Sequence, residues 1–234
     1  MNSTTQALPT GSATMTRGMV LLFAFCCGAI VANIYYAQPI IELIAPDLGL
    51  SSALASLIVS LTQIGYALGL FFLVPLGDLL ENRRLMICTT LVAIASLLGA
   101  AFIQQPNAFL LVSLLIGFSS VSVQILIPLA AHLAPEETRG RVVGGIMGGL
   151  LLGILLARPV SSVVADHFGW RAMFIAAALL MAAISLVLML TIPKRQPAHS
   201  ATYGQLLHSL GNLLRQQPVP VSYTHLRAHE TRED

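Results

Sequence analysis

Six apolar stretches, at about 18–43, 52–76, 84–103, 108–133, 141–165 and 170–192, govern what this chain can become. Each is close to the ~20 residues that an α-helix needs to cross ~30 Å of hydrocarbon, or somewhat longer. Backbone groups in lipid find no water, so a segment must satisfy them itself. Runs of this length do so as helices rather than as barrel strands. Only 9% of the chain is charged and 56% is hydrophobic, whereas an ordinary soluble domain carries about 25% charged residues. No water-soluble core absorbs that much apolar surface, so the solvent is the bilayer. The fold class that follows is an all-α membrane protein with six transmembrane helices.

The loops alternate in charge. Arg17 precedes the first stretch, Arg83 and Arg84 follow the second, and Arg139 and Arg141 separate the fourth from the fifth. Lys194, Arg195 and Arg215 follow the sixth, while the intervening loops hold only Arg171. By the positive-inside rule both termini lie in the cytoplasm. There is no basic run of the kind that binds nucleic acid. Cys26, Cys27 and Cys88 sit in apolar runs, and no Cys/His cluster has a metal-ligand spacing, so no metal or cofactor is expected.

Four regions result. Residues 1–16 lack a basic n-region and a small-residue cleavage site, and read as a disordered cytoplasmic tail. Residues 17–193 form the six-helix bundle. Residues 194–220 are a cytoplasmic linker in which Leu206, Leu207, Leu210, Leu213 and Leu214 recur at helical spacing, as in a short amphipathic helix on the membrane surface. Residues 221–234, VSYTHLRAHETRED, are polar and aperiodic. They resemble an out-of-frame translation of a sequencing-library adapter, so they are expected to be non-native, with the natural frame cut before them.

Polar residues inside the apolar stretches are the candidates for function. Ser52, Ser56, Ser60, Gln63 and Ala67 share one helix face, as do Ser113, Gly117, Ser120 and Gln124. Such stripes have two readings. They serve helix–helix packing, where small residues allow close approach and hydroxyls bond across, or they line a wet cavity. Gln63 and Gln124 suit the second reading better, because large amides in lipid need a wet or bonded surrounding. In the first stretch Asn33 and Tyr36 share one face, Tyr35, Gln38 and Glu42 another, and Pro39 is free to bend the helix.

The fifth stretch divides its surface. Gly145, Gly149, Gly153 and Ala157 recur every fourth residue as a close-packing seam. Arg158, followed at once by Pro159, points away from it, near Leu151, Leu155 and Ser162. An arginine at a bilayer centre costs about 2.5–3.5 kcal/mol on insertion scales. It either snorkels to the end of the helix, ~10 Å away at Ala165, or faces a cavity.

Taken together, these features resemble the amino-terminal half of a major facilitator superfamily transporter, nearest to its bacterial drug:proton antiporter-like branch. Members carry G-x-x-x-D-R-x-G-R-R between helices 2 and 3. The counterpart here is Gly77-Asp78-Leu-Leu-Glu81-Asn82-Arg83-Arg84, with Glu81 at the acidic place counted from Gly77. In the antiporter motif of helix 5, Gly145 and Pro159 fit, Arg158 replaces the glycine before the proline, and Ser162 stands where a glycine is usual. The loop containing Arg139 and Arg141 is similar to the family's turn between helices 4 and 5. The resemblance implies twelve helices in two halves, with the other six-helix half missing from this chain, and a multi-pass protein of the bacterial inner membrane. It implies a secondary transporter rather than an enzyme, partnered by lipid, a small-molecule substrate and protons, and working as a proton-coupled exporter. Asn33, Tyr36, Gln38, Gln63, Gln124 and Arg158 would line the substrate cavity. Glu42 is the one weak candidate for a proton-linked acid. The motif loop, with Arg139 and Arg141, would act in the conformational change. Two rivals stay open: a membrane scaffold, and a serine protease built on Gly117-Phe-Ser-Ser120 with His167.

Overall fold

The computed structural model describes residues 16–192. The tail at 1–16 apart from Thr16, the linker at 194–220 and the tail at 221–234 fall outside the described residues. Within them the chain is all helical. Five helical segments are long and apolar enough to cross a membrane: Ser52–Gly77, Asn82–Phe102, Pro106–Leu133, Arg139–Phe168 and Trp170–Thr191. A shorter apolar helix, Arg17–Ala32, precedes them. Leucines and phenylalanines such as Leu21, Phe25, Phe71, Leu111, Leu151 and Leu186 point outward, as a lipid-facing surface requires.

The first stretch is not the continuous helix that its hydropathy suggests. Helix α1 spans Arg17–Ala32, a single 3-10 turn spans Gln38–Ile40, and α2 spans Ile41–Asp47. Proline has no N–H, and its ring clashes with the carbonyl four residues back. Pro39 therefore denies Tyr35 its helical donor, and the Tyr35 carbonyl accepts from the Gln38 N–H at 3.3 Å instead. Ile40 N–H turns to Ala37, so Tyr36 also loses its helical donor. Ahead of the break, Asn33, Ile34 and Tyr35 already donate three residues back, to Ile30, Val31 and Ala32.

Helix α3 spans Ser52–Phe72 and α4 Asn82–Phe102. The fourth stretch also divides, into α5, Pro106–Ser119, and α6, Ser122–Leu133. Here two adjacent serines mark the break. Ser119 and Ser120 hydroxyls donate back to the carbonyls of Leu115 and Ile116, which bends helices by drawing carbonyls outward. Helix α7 runs unbroken over Arg139–Phe168 despite Pro159, and α8 covers Trp170–Thr191. The one-residue link between them is Gly169, at φ +82°, a conformation that a side chain would strain.

Packing pairs the first span with the fifth, the second with the fourth, and the third with the sixth, as α1 on α7, α3 on α5 and α4 on α8. Exchanging spans one to three with spans four to six leaves this scheme unchanged. Two of the three contacts are glycine seams. A Cβ on Gly149 would lie 2.5 Å from the Ala24 carbonyl oxygen, and one on Gly28 2.5 Å from that of Gly149. A Cβ on Gly153 would strike the backbone of Gly28. Between α3 and α5, Gly65 lies against the Leu114 carbonyl and Gly117 against that of Thr62. With no hydrophobic drive between helices in lipid, this close approach supplies the association energy. Gly149→Leu and Gly153→Leu should therefore lower the thermal unfolding midpoint in detergent by an amount equivalent to at least ~1–3 kcal/mol of overpacking. Gly148→Leu on the same helix, where a Cβ meets nothing within 4 Å, should stay within about 0.5 kcal/mol.

Candidate functional site

The freed carbonyl of Tyr36 is the centre of the site. It accepts a 2.6 Å hydrogen bond from the Ser161 hydroxyl of α7, and Ser161 is fully buried. Three residues earlier on α7, Arg158 Nη2 donates to the Gln38 side-chain oxygen at 2.8 Å. The break in the first span is thus held on both sides by one helix. Because α7 extends to Phe168, Arg158 stands ten residues, ~15 Å, from that end. Hydropathy alone puts the end of the helix at Ala165, ~10 Å away. Arg158 is exposed on the bundle surface and Gln38 is half-buried. Among the described residues Arg158 has no acidic partner, and the amide it meets is neutral.

The other candidates are distributed. Asn33 is buried; its amide nitrogen contacts the Met181 sulfur of α8 at 3.2 Å, while its oxygen is enclosed without a partner. Tyr36 is buried beside it. Gln124, just past the break in the fourth span, donates to the Tyr66 hydroxyl of α3 at 3.0 Å. Gln63 shares an exposed face of α3 with Ser52, Ser56, Ser60 and Ala67. The matching stripe of the fourth span is turned inward: Ser113 and Ser120 are buried and donate to their own helix, and Gly117 meets α3. Glu42 is exposed in α2 and lines a cavity of about 670 Å³ with Ser52 and Ser56. Structure therefore joins Gln38 to Arg158, sets Glu42 against the start of the α3 face that carries Gln63, and leaves Gln124 with Tyr66. Ser161, Tyr66 and Met181 were not candidates from sequence. Ser161 was detectable only as a small polar residue one turn beyond Arg158.

At the basic end, Glu81 and Arg84 form a 3.1 Å ion pair, with Arg83 and Arg84 inside the first turn of α4 rather than in a loop. Gly77 closes a 3-10 turn packed against Ile125. Arg139 Nε donates to the Ala131 carbonyl at 3.0 Å, tying α7 to the end of α6, while Arg141 is exposed. His167 lies in the last turn of α7, not in a loop, and its ring meets the Val163 carbonyl. Among the described residues no hydrogen bond joins it to Ser120, whose hydroxyl donates to the Ile116 carbonyl.

Residues 20–227 match the family model described as Major Facilitator Superfamily. The chain belongs to that superfamily. The matched span continues to residue 227, into the segment that looks foreign by composition. The chain is 45% identical over 196 residues to the uncharacterized transporter YgaY of Escherichia coli O157:H7, covering 84% of this chain and 50% of that protein. It is 36% identical over 210 residues to SCO4007 of Streptomyces coelicolor, described as a probable transporter, covering 90% and 48%. The chain thus spans about half the length of the curated relatives it matches. Among solved structures it is similar in fold to the E. coli xylose transporter XylE in a partially occluded inward-open state, with TM-score 0.66, 16% identity, and coverage of 75% of this chain and 48% of that one. It is also similar to the human organic anion transporter MFSD10, with TM-score 0.59, 17% identity, and coverage of 79% and 51%.

At the opposite end of the bundle a second polar contact is open to test. Asp47, closing α2, accepts from Arg171 and, at 3.1 Å, from the Trp170 indole of α8. Trp170 packs edge-on to Phe109 and Phe174 with centroids 5.8 and 6.0 Å away. The hydrogen bond from Arg171 holds the Asp47 carboxyl below its ordinary value of 3.8, and the Trp170 bond adds to it. A depressed carboxylate contributes stability above the unfolded value and loses it as pH falls through the folded one. Asp47→Asn should therefore lower the unfolding midpoint at about pH 7, and its difference from wild type should shrink as pH falls below about 4 and vanish once pH is under the depressed folded value. A difference that persists there would mean the contact acts through something other than the charge.

Proposed function

We propose that this chain is the amino-terminal six-helix half of a secondary active transporter that exports small organic molecules in exchange for protons. The observation that carries the reading is the interrupted first span, braced at membrane depth by Arg158 and Ser161. Transporter sites in lipid are built from discontinuous helices, because irregular backbone is tolerated only where protein or a water-filled cavity surrounds it. An arginine ~15 Å from its helix end, paired with a neutral amide, is better explained by a wet cavity than by lipid.

On this reading Gln38 and Arg158 contact substrate directly, with Gln63 and Gln124 further along the same passage. Asn33 and Tyr36 shape the hinge behind them, and Arg158 favours an anionic group on the substrate. Glu42 is the proton-linked acid on this half. The turn from Gly77 through Asp78 and Glu81 to Arg83 and Arg84, with Arg139 and Arg141, belongs to the conformational latch of the cytoplasmic side. Both termini face the cytoplasm across the bacterial inner membrane. A second half, outside this chain, closes the passage against α3 and α7. Those two helices support the idea, since their apolar windows are 22% and 17% buried against 44–61% for the other three long spans.

Two measurements test it. Genomic DNA read past codon 220 should continue into six further apolar segments, and a frame that stops without them overturns the half-transporter reading. In that gene, Arg158→Ala and Arg158→Lys should each cut proton-driven efflux by roughly tenfold or more, the worth of a charged hydrogen bond. Wild-type efflux in both variants would assign the arginine to snorkelling. Wild-type efflux that survives collapse of the proton gradient would remove the coupling ion.

A further inference from the structure

We propose that the groove between α1 and α7 holds one anionic phospholipid, its acyl chain along the glycines and its phosphate between Arg17 and Arg141. The inference needs only the bilayer setting and is independent of any substrate. The groove encloses about 470 Å³ and its lining, which includes Leu21, Phe25, Gly145, Gly148 and Leu152, contains no charged side chain. It lies on the flank of α7 opposite Arg158, and Tyr36 lines its far end.

Helices α1 and α7 are parallel and in register. Ala24 meets Gly149, Gly28 meets Gly153, and Ser161 meets Tyr36. Each pair differs by the same 125 positions. That register sets Arg141 level with residue 16, beside Arg17. Arg17 stands four residues before Leu21 and Arg141 four before Gly145, so each arginine shares a helix face with a groove residue. Both are exposed, and among the described residues neither has an ion pair or a hydrogen bond from its side chain. Two free guanidiniums thus flank the mouth of an uncharged channel. From Arg141 to Val160, the last α7 residue that lines the groove, is ~28 Å of helix, so an acyl chain of one leaflet, ~15 Å deep, takes the part nearer the arginines.

Gly148 supplies the second observation. Glycine inside a helix costs about a residue's worth of helix propensity, and a close contact normally compensates. Gly149 and Gly153 have α1 against them, whereas a Cβ on Gly148 would meet nothing within 4 Å. Within the described residues no protein packing covers it, and an acyl chain lying over it would. A covering protein helix would leave the two arginines without counter-charge, whereas a phosphate headgroup satisfies both.

The test uses the full 234-residue chain in detergent, mixed with phosphatidylglycerol or phosphatidylcholine, with retained lipid counted by native mass spectrometry. Wild type should retain one phosphatidylglycerol, preferred over phosphatidylcholine by about tenfold or more for two surface arginines. The Arg17→Gln/Arg141→Gln variant should lose that preference. Gly148→Leu, which fills the groove without a clash, should lose retention of both lipids at an unchanged unfolding midpoint. Phosphatidylglycerol held by Gly148→Leu as by wild type would overturn the proposal. So would a wild-type chain that shows no preference between the lipids, or one whose lipid is displaced by excess inorganic phosphate.

Discussion

A carbonyl that loses its helical donor inside a bilayer has no water to turn to. The 3-10 turn at Pro39 leaves one at Tyr36, because the Ile40 N–H goes to Ala37, and the α1–α7 contact satisfies it. Serine has a short side chain, so Ser161 can reach the carbonyl at 2.6 Å only if the two backbones lie very close. The glycines two to three turns earlier provide that closeness: Gly28, Gly149 and Gly153 leave no room for a Cβ. The seam and the break are therefore one construction. Spacing set by glycine at one level delivers a hydroxyl to the interrupted backbone at the next, in an unchanged register.

The same logic operates a second time. The fourth span is interrupted at Ser120, and its partner α3 meets it through Gly65 and Gly117. Each break is followed within five residues by a glutamine with a partner on the helix packed beside it, Gln38 with Arg158 and Gln124 with Tyr66. The residues at the breaks differ, proline in one span and back-bonding serines in the other. Repetition of an outcome from different local chemistry indicates that the three-span unit, rather than any single residue, is what the fold repeats.

Much of this was legible before any coordinates. The number of spans, the every-fourth-residue glycine seam and the isolation of Arg158 all follow from hydropathy and helical period. A bend at Pro39 was legible as well, but the loss of helix over 33–37 and the break in the fourth span were not. Hydropathy averages over about twenty residues and registers Asn33–Ala37 as apolar, so the first stretch reads as one rod. Small-residue stripes were ambiguous for a physical reason. Ser52–Ser56–Ser60 and Ser113–Gly117–Ser120 have almost the same spacing, yet one is exposed and the other buried. What separates them is the partner helix, and Gly65 and Thr62 on α3 decide which stripe finds it. Ser161 escaped notice because its role depends on a carbonyl on another helix, 125 residues away.

The two arginine contacts between the first and later spans show how depth changes the same chemistry. Near the end of α2, Arg171 meets a carboxylate, so the contact is neutral overall and held partly in solvent. At membrane depth Arg158 meets an amide, so its charge is oriented without being cancelled. An aspartate in place of Gln38 would stabilise the arginine better and would also consume it. An amide fixes the direction of the guanidinium, leaves several of its five donors free, and leaves its positive potential uncancelled. A bundle that required only the first and fifth spans to be joined already has Ser161 and the glycine seam. Leaving an uncancelled charge beside them adds a cost to stability that the joining of the two spans does not require.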